Sequence, residues 1–202
     1  MIDKSIPYLN IIMRYDGPTI TEKPSAPNGF RFRDYQDGDE LAWARMEVDN
    51  NDFDTYENAV NYFNKKYCAF PDKLRERFVG IENSEGKMCG IVICWDDVKD
   101  DVTVASVHWL VTDPKEQGKG LGVALVKMLL YKFSILKMLP IYLHTQPWSY
   151  VAIGIYSKVG FKMLTTDSFR NYENQSLQAL GVLKEFMKDG QFEKLKEEMI
   201  GD

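Results

Sequence analysis

The stretch from Val107 to Gly122 limits what this chain can become more than any other. Val107-His108-Trp109-Leu110-Val111-Thr112 is an apolar, partly β-branched run that reads as a buried strand. Pro114 sits in the turn after it, and Gly118, Gly120 and Gly122 open a helix whose inward face is Leu121, Ala124, Leu125, Met128 and Leu129. Alternate glycines let backbone N–H groups approach a ligand without interference from Cβ atoms, and the positive end of the helix dipole favours an anion there. The loop does not end in Gly-Lys-Ser/Thr, and its spacing does not fit G-x-G-x-x-G, so neither the mononucleotide nor the dinucleotide loop describes it. A cradle for a pyrophosphate and a plain strand-to-helix turn are the readings that remain.

Composition narrows the setting. At 202 residues, with 45% hydrophobic and 27% charged residues, the chain is read as a single globular domain, large enough for a full core. A net charge of −5 argues against a sequence-independent grip on nucleic acid and favours a cationic or neutral second substrate. No apolar run approaches a membrane span, and the first residues lack the pattern of a secretory leader, so the expectation is a cytoplasmic protein without a membrane partner. Three cysteines, Cys68, Cys89 and Cys94, lack Cys-x-x-Cys spacing; a zinc site and a disulfide framework are not expected.

Along the chain, Ile6 to Arg14 alternates as a half-buried strand, and Phe30-Arg31-Phe32-Arg33 as a second. A helix is expected from about Gly38 to Val48, capped by Asp37 with Glu40 reaching back, and another after Asp54 and Glu57 at the same spacing. Between them Glu47 to Glu57 is strongly acidic: one wall of a site for an amine, or a solvated run with two caps. Arg77 to Glu82 and Met88 to Trp95 form a hairpin across Asn83–Gly86, and Asp96 to Asp101 makes an acidic turn. After the glycine-loop helix come a strand Ile141–Thr145, a helix Trp148–Lys158 and a strand Gly160–Leu164. From Ser176 onward a helical tail is expected, interrupted at Asp189-Gly190.

Gln117-Gly118-Lys119-Gly120-Leu121-Gly122 resembles the Gln/Arg-x-x-Gly-x-Gly/Ala loop of the GNAT superfamily of N-acetyltransferases. Ala152-x-x-x-Tyr156-x-x-x-Gly160-Phe161 resembles that family's second motif, one helix and one strand further on. The resemblance implies an α/β acyl-CoA N-acyltransferase fold: a central mixed, mostly antiparallel sheet flanked by helices. Residues 29–166 would be the core, 1–28 an extension with an extra strand, and 167–202 a C-terminal helical extension. It implies acetyl-CoA as co-substrate, with no metal, held by Gln117, Gly118, Lys119, Gly120, Leu121 and Gly122. It further implies that the backbone of Leu110, Val111 and Thr112 pairs with the pantetheine arm. Ser149 stands where the family has an asparagine, and its hydroxyl would make that cofactor contact. Tyr156 matches the tyrosine that donates to the coenzyme A sulfur.

The chemistry can be stated from the reactants. An alkylammonium, pKa ~10, must lose a proton before it attacks a thioester, and a thiolate, pKa ~8.5, gains from an acid as it leaves. His108, on the strand entering the loop and on one face with Ser106, Leu110 and Thr112 by the period of two, is the candidate base. Glu47 or another acid of the early loop, and solvent, are alternatives; a buried histidine hydrogen-bonded in the core is the other reading of His108, and His144 is assigned a structural place. The implied function is transfer of acetyl to a primary amine of a small molecule in a ternary complex. A non-catalytic CoA-binding module and a protein lysine or N-terminal acetyltransferase are the alternatives. The tail would either cover the acceptor side or serve a homodimer.

Overall fold

The computed structural model describes residues 3–201. Fourteen named elements follow the chain: β1 (Ile11–Tyr15), β2 (Phe30–Arg33), α1 (Asp39–Asp49), α2 (Tyr56–Phe63), α3 (Pro71–Arg77), β3 (Phe78–Asn83), β4 (Met88–Lys99), β5 (Val102–Thr112), α4 (Leu121–Ile135), β6 (Ile141–Thr145), α5 (Tyr150–Lys158), β7 (Lys162–Met163), α6 (Ser176–Phe186) and α7 (Asp189–Glu197). The strands hydrogen-bond in the order β2-β3-β4-β5-β6-β1-β7. β2 with β3, β3 with β4, and β1 with both β6 and β7 are antiparallel, while β5 and β6 are parallel at Ala105↔Ile141 and Ser106↔Tyr142. The sheet is therefore mixed and mostly antiparallel, as the order of elements implied.

The chain divides into two compact units. The first holds residues Glu22–Cys94 and His108–Lys132. Here β4 is buried on both faces from Met88 to Trp95, and Cys89 and Cys94 are free core residues. The inward side of α4 is the expected one, with Leu121, Ala124, Leu125, Met128 and Leu129 all buried. Gly90 is the point of closest approach: a Cβ there would stand 2.9 Å from Leu125 Cδ1 and 3.1 Å from the Val111 carbonyl oxygen. At the sheet edge, Glu82 takes Arg31 Nε at 2.5 Å and Arg33 Nε at 2.6 Å, while Arg33 also forks onto Asp39 with two 2.6 Å contacts. That network fixes the start of α1 to the sheet.

The second unit holds Asp3–Thr21, Trp95–Val107 and residues 133–201. Asp100 and Asp101 turn the chain from β4 to β5 with φ of 49° and 62°, the left-handed pair of a tight two-residue hairpin. β1 is not half-buried as its alternation suggested. Ile11, Ile12 and Met13 are all fully buried, because β1 lies inside the sheet and α6 packs on it, the Ser176 hydroxyl accepting from Ile12 N at 3.2 Å. The strand is also shorter than expected, starting at Ile11.

Other local expectations are corrected. Asp37 does not cap α1; Gly38 precedes it with φ 102°, and only the Glu40 half holds, its carboxylate accepting from Gly38 N at 3.0 Å. α2 is capped by the Thr55 hydroxyl, which accepts from Asn58 N at 3.2 Å, and not by Asp54. β4 runs through the acidic stretch to Lys99. The tail breaks at Met187-Lys188, and Asp189 begins α7 with its negative charge at the positive end of the dipole. The last strand is reduced to Lys162–Met163, with Leu164 bridged in parallel to Ile200. α3 has no counterpart in the sequence reading.

The contact at Gly90 gives a test of this packing. Gly90→Ala should lower unfolding free energy by about 1–3 kcal/mol through overpacking against α4 and the end of β5, read by urea denaturation of the purified chain.

Candidate functional site

The first half of the site is built from β5, the loop after it, and α1. β5 is regular until Trp109, whose φ of 52° is left-handed, a conformation that costs an L-residue about 1–2 kcal/mol. Packing holds it there. The Trp109 ring meets Trp43 at 5.5 Å, Phe53 at 5.5 Å and Tyr62 at 5.4 Å between centroids, and its Nε1 donates to Tyr62 Oη at 3.3 Å. Ser106, His108, Leu110 and Thr112 therefore do not form one uninterrupted face, since a left-handed residue breaks the alternation between His108 and Leu110. The sequence carried no signal for this: a tryptophan is among the last residues expected at positive φ.

His108 is 8% exposed, and its Nδ1 lies 2.8 Å from the Tyr67 hydroxyl. Tyr67 reaches it because the chain after α2 continues as a single π-helical turn, Asn64–Cys68, which shifts the register of the side chains that follow Phe63. Such turns recur at functional sites. When Nδ1–H donates to the Tyr67 oxygen, Nε2 carries the lone pair, the tautomer a base requires.

Beyond β5, the Asp113 carboxylate gathers the loop. It takes Lys87 Nζ at 2.7 Å and Lys115 N at 3.0 Å, and Asp113 N donates to Cys89 O at 2.9 Å. Burial alone would raise the Asp113 pKa, but Lys87, the Lys115 amide and the nearby Arg45 outweigh it and hold the group below the usual carboxylate range. Asn50, just past α1, donates to Thr112 O at 3.0 Å and accepts from Gln117 Nε2 at 3.2 Å. Lys119 Nζ is held by Glu116 at 2.6 Å.

Gly118 and Gly120 have φ of 79° and 80°, and no heavy atom lies within 4 Å of where a Cβ would stand at either. The glycines are required by backbone conformation, and the space beside them is open. Gly122 lies in the first turn of α4, where only the Ala124 amide, bonded to Gly120 O at 3.1 Å, has begun the helical ladder. Leading N–H groups of a helix have no intrahelical acceptor. Open left-handed glycines followed by free amides fit a pyrophosphate, and so fit the diphosphate of coenzyme A.

The residues of the second motif, Ser149 and Tyr156, belong to the second unit. Ser149 closes a 3₁₀ turn, Pro147–Ser149, ahead of α5, and it does not cap that helix through its side chain. Tyr156 is 6% exposed, with its ring edge-on to Phe161 at 5.6 Å. The Tyr-x-x-x-Gly-Phe spacing has a mechanical reason. Gly160, φ 103°, is the left-handed residue ending α5; Phe161 N donates to Tyr156 O at 3.0 Å and Gly160 N to Ser157 O at 3.1 Å, the paired bonds of a Schellman motif. Tyr150 stacks on Phe186 at 5.6 Å, away from Tyr156 as helix geometry predicts. His144 accepts its structural place, with Nε2 2.8 Å from Asn10 Oδ1 and its ring 3.6 Å from Tyr172. Burial, reinforced by Arg170, pushes its pKa down to about 4, so it stays neutral.

Residues 32–161 match the model of the acetyltransferase (GNAT) family. Among solved structures, a GCN5-related N-acetyltransferase from Sphaerobacter thermophilus aligns with a TM-score of 0.56 at 16% identity, over 78% of this chain and 49% of that one. An acetyltransferase of the GNAT family from Colwellia psychrerythraea aligns with a TM-score of 0.57 at 12% identity, over 78% and 53%. The chain thus spans about half the length of these two. Spermidine N-acetyltransferase from Vibrio cholerae, in complex with CoA and spermine, aligns with a TM-score of 0.51 at 22% identity, over 72% and 89%. No curated protein sequence matches the chain. Among the described residues, no helix is long and apolar enough to cross a membrane.

The Asp113 network gives a pH test. A carboxylate whose folded pKa is depressed contributes stability above its unfolded pKa and loses it as pH falls through the folded value. Asp113→Asn should lower stability at neutral pH by about 2 kcal/mol. The difference from the parent chain should shrink as pH drops below 4, the ordinary carboxylate value, as followed by urea midpoints across pH 2–7.

Proposed function

The chain belongs to the GNAT family of acetyltransferases, and from that premise we propose that it transfers an acetyl group from acetyl-CoA to a primary amine of a small molecule. The observation that carries this reading is the pair of open, left-handed glycines, Gly118 and Gly120, feeding the first turn of α4. Acetyl-CoA supplies an activated thioester; the rest of the work falls to this chain's residues. The loop amides from Gly118 to Gly122, with Gln117 and Lys119, bind the diphosphate. The backbone of Leu110, Val111 and Thr112 aligns the pantetheine arm, and the Ser149 hydroxyl adds a contact from the start of α5.

His108 removes the proton of the ammonium through water, with Tyr67 holding its Nδ1 so that Nε2 accepts. The amine nitrogen then forms its bond to the carbonyl carbon, the carbon–sulfur bond breaks, and Tyr156 gives its phenolic proton to the departing thiolate. The nitrogen of the new amide gives its second proton to solvent, which also takes the first proton from His108 and returns one to Tyr156. No covalent enzyme intermediate is involved: Cys89 and Cys94 are buried, and burial pushes the thiol of Cys94 up to about 12. The spermidine acetyltransferase neighbour supports a small-molecule amine over a protein acceptor.

Release of free thiol from acetyl-CoA, measured with and without each of a panel of small amines, tests the reading; acetyl-CoA binding with no amine-dependent release contradicts it in favour of a binding module. Tyr156→Phe should lower kcat about 100-fold while the KM for acetyl-CoA stays within a factor of about two, because a proton donor acts in the transition state and not in ground-state binding. An unchanged kcat removes Tyr156 from the chemistry.

A further inference from the structure

One buried acid has no place in the proton transfers above. Glu47 lies on α1, is 2% exposed, and its Oε1 has no hydrogen-bond partner. Trp43, one helical turn earlier on the same face, is fully buried with its Nε1 also unpartnered. Native proteins pair nearly all such atoms, so two orphans on adjacent turns of one helix face require a reason. Burial, with Asp52 nearby, pushes the Glu47 carboxyl well above its ordinary range; the neighbouring Trp43 N–H favours the ionised form without reaching hydrogen-bond geometry. An isolated buried carboxyl stays neutral until a cation arrives to share the site.

The surroundings say what kind of cation. The same face of α1 follows the end of β5: Trp43 meets Trp109 at 5.5 Å, and Asn50 donates to Thr112 O at 3.0 Å. Glu47 stands on α1 between Trp43 and Asn50, the two residues that tie the helix to Trp109 and Thr112, which flank the segment assigned above to the pantetheine arm. Phe53, Tyr62 and Trp109 are half-buried and mutually in contact at 5.4–5.6 Å, so part of each ring faces outward. Of the other acids of this stretch, Asp49, Asp54 and Glu57 are exposed, where a single ion pair contributes little, and Asp52 is half-buried and adds negative charge near Glu47. One desolvated carboxyl, a helical turn from Trp43 whose ring meets Phe53, Tyr62 and Trp109, suits a single ammonium on an apolar body, which gains cation–π and apolar contact together.

We propose that Glu47, with Phe53, Tyr62 and Trp109, forms the acceptor ammonium site and selects a monocationic alkyl- or arylalkylamine over polyamines and amino sugars. This rests on the transferase reading, and the test separates the two. With the full chain and saturating acetyl-CoA, 2-phenylethylamine, spermidine and glucosamine are compared as acceptors, and each amine is titrated calorimetrically into the CoA-loaded chain. Phenylethylamine should exceed both others in kcat/KM by about tenfold or more. Glu47→Gln, a neutral isostere, should raise the KM for phenylethylamine about 10- to 100-fold, with the KM for acetyl-CoA unchanged. Phe53→Ala, which removes one ring of the site from outside α1, should erase the preference.

A preference for spermidine or glucosamine overturns the assignment, as does a Glu47→Gln chain with an unaltered amine KM. A fall in kcat alone would make Glu47 a proton acceptor and equally overturn it. Calorimetric binding of phenylethylamine that Glu47→Gln abolishes, without thiol release, keeps the site and defeats the transferase reading. No binding of phenylethylamine defeats the site whatever the turnover.

Discussion

The arrangement depends on how the end of β5 is pinned where the strand stops and the glycine loop starts. Asp113 does this with three contacts of different kinds: its amide continues the sheet to Cys89 O, and its carboxylate holds the Lys87 ammonium and the Lys115 amide. A loop with left-handed residues at Gly118 and Gly120 has more conformational freedom to lose than most, and it must lose it for its amides to converge. Fixing the chain a few residues before the first of these glycines, and fixing α4 by the burial of Leu121 and Leu125, restricts that freedom from both ends. Preorganised amides then bind an anion without a reorganisation cost when it arrives.

The same strand serves a second purpose through Trp109. Its left-handed backbone is held by rings from α1, α2 and the acidic segment between them, so the first helices are tied to the strand that carries the glycine loop. Tyr67 adds a polar tie, reaching His108 from the π-helical turn. In the second unit the comparable economy is at Gly160, which ends α5 in a Schellman motif whose first acceptor is the carbonyl of Tyr156. The residue proposed as acid is thus placed by the helix terminus that follows it.

The proposed donor side is legible in the sequence because its determinants are local. Glycines at positive φ, a strand running into a helix, and the Tyr-x-x-x-Gly-Phe ending are each set by residues adjacent in sequence, so pattern and geometry coincide. The proposed acceptor side is not. Glu47 reads as one charge in an acidic run, and only the packing of α1 along β5 makes it the buried one. Trp109 reads as a strand residue, and its left-handed φ is imposed by rings 47 or more positions away in the chain. The caps of α1 and α2 failed for a smaller reason: Gly38 and Thr55 stand one residue beyond the acids that fit the spacing, and a hydroxyl or a glycine serves there as well as a carboxylate. β1 was misjudged because the helix that covers its other face, α6, lies at the opposite end of the sequence.

The central claim is that the loop from Gln117 to Gly122 is the diphosphate cradle of coenzyme A. Calorimetric titration of acetyl-CoA into the parent chain and into Gly120→Asp tests it directly, with circular dichroism confirming that both remain folded. The account predicts saturable binding to the parent and a loss of affinity of at least about 100-fold in the variant, from a β-substituent at a left-handed position and a like charge beside the phosphates. Equal affinity in the two chains, or no binding to the parent, would contradict it.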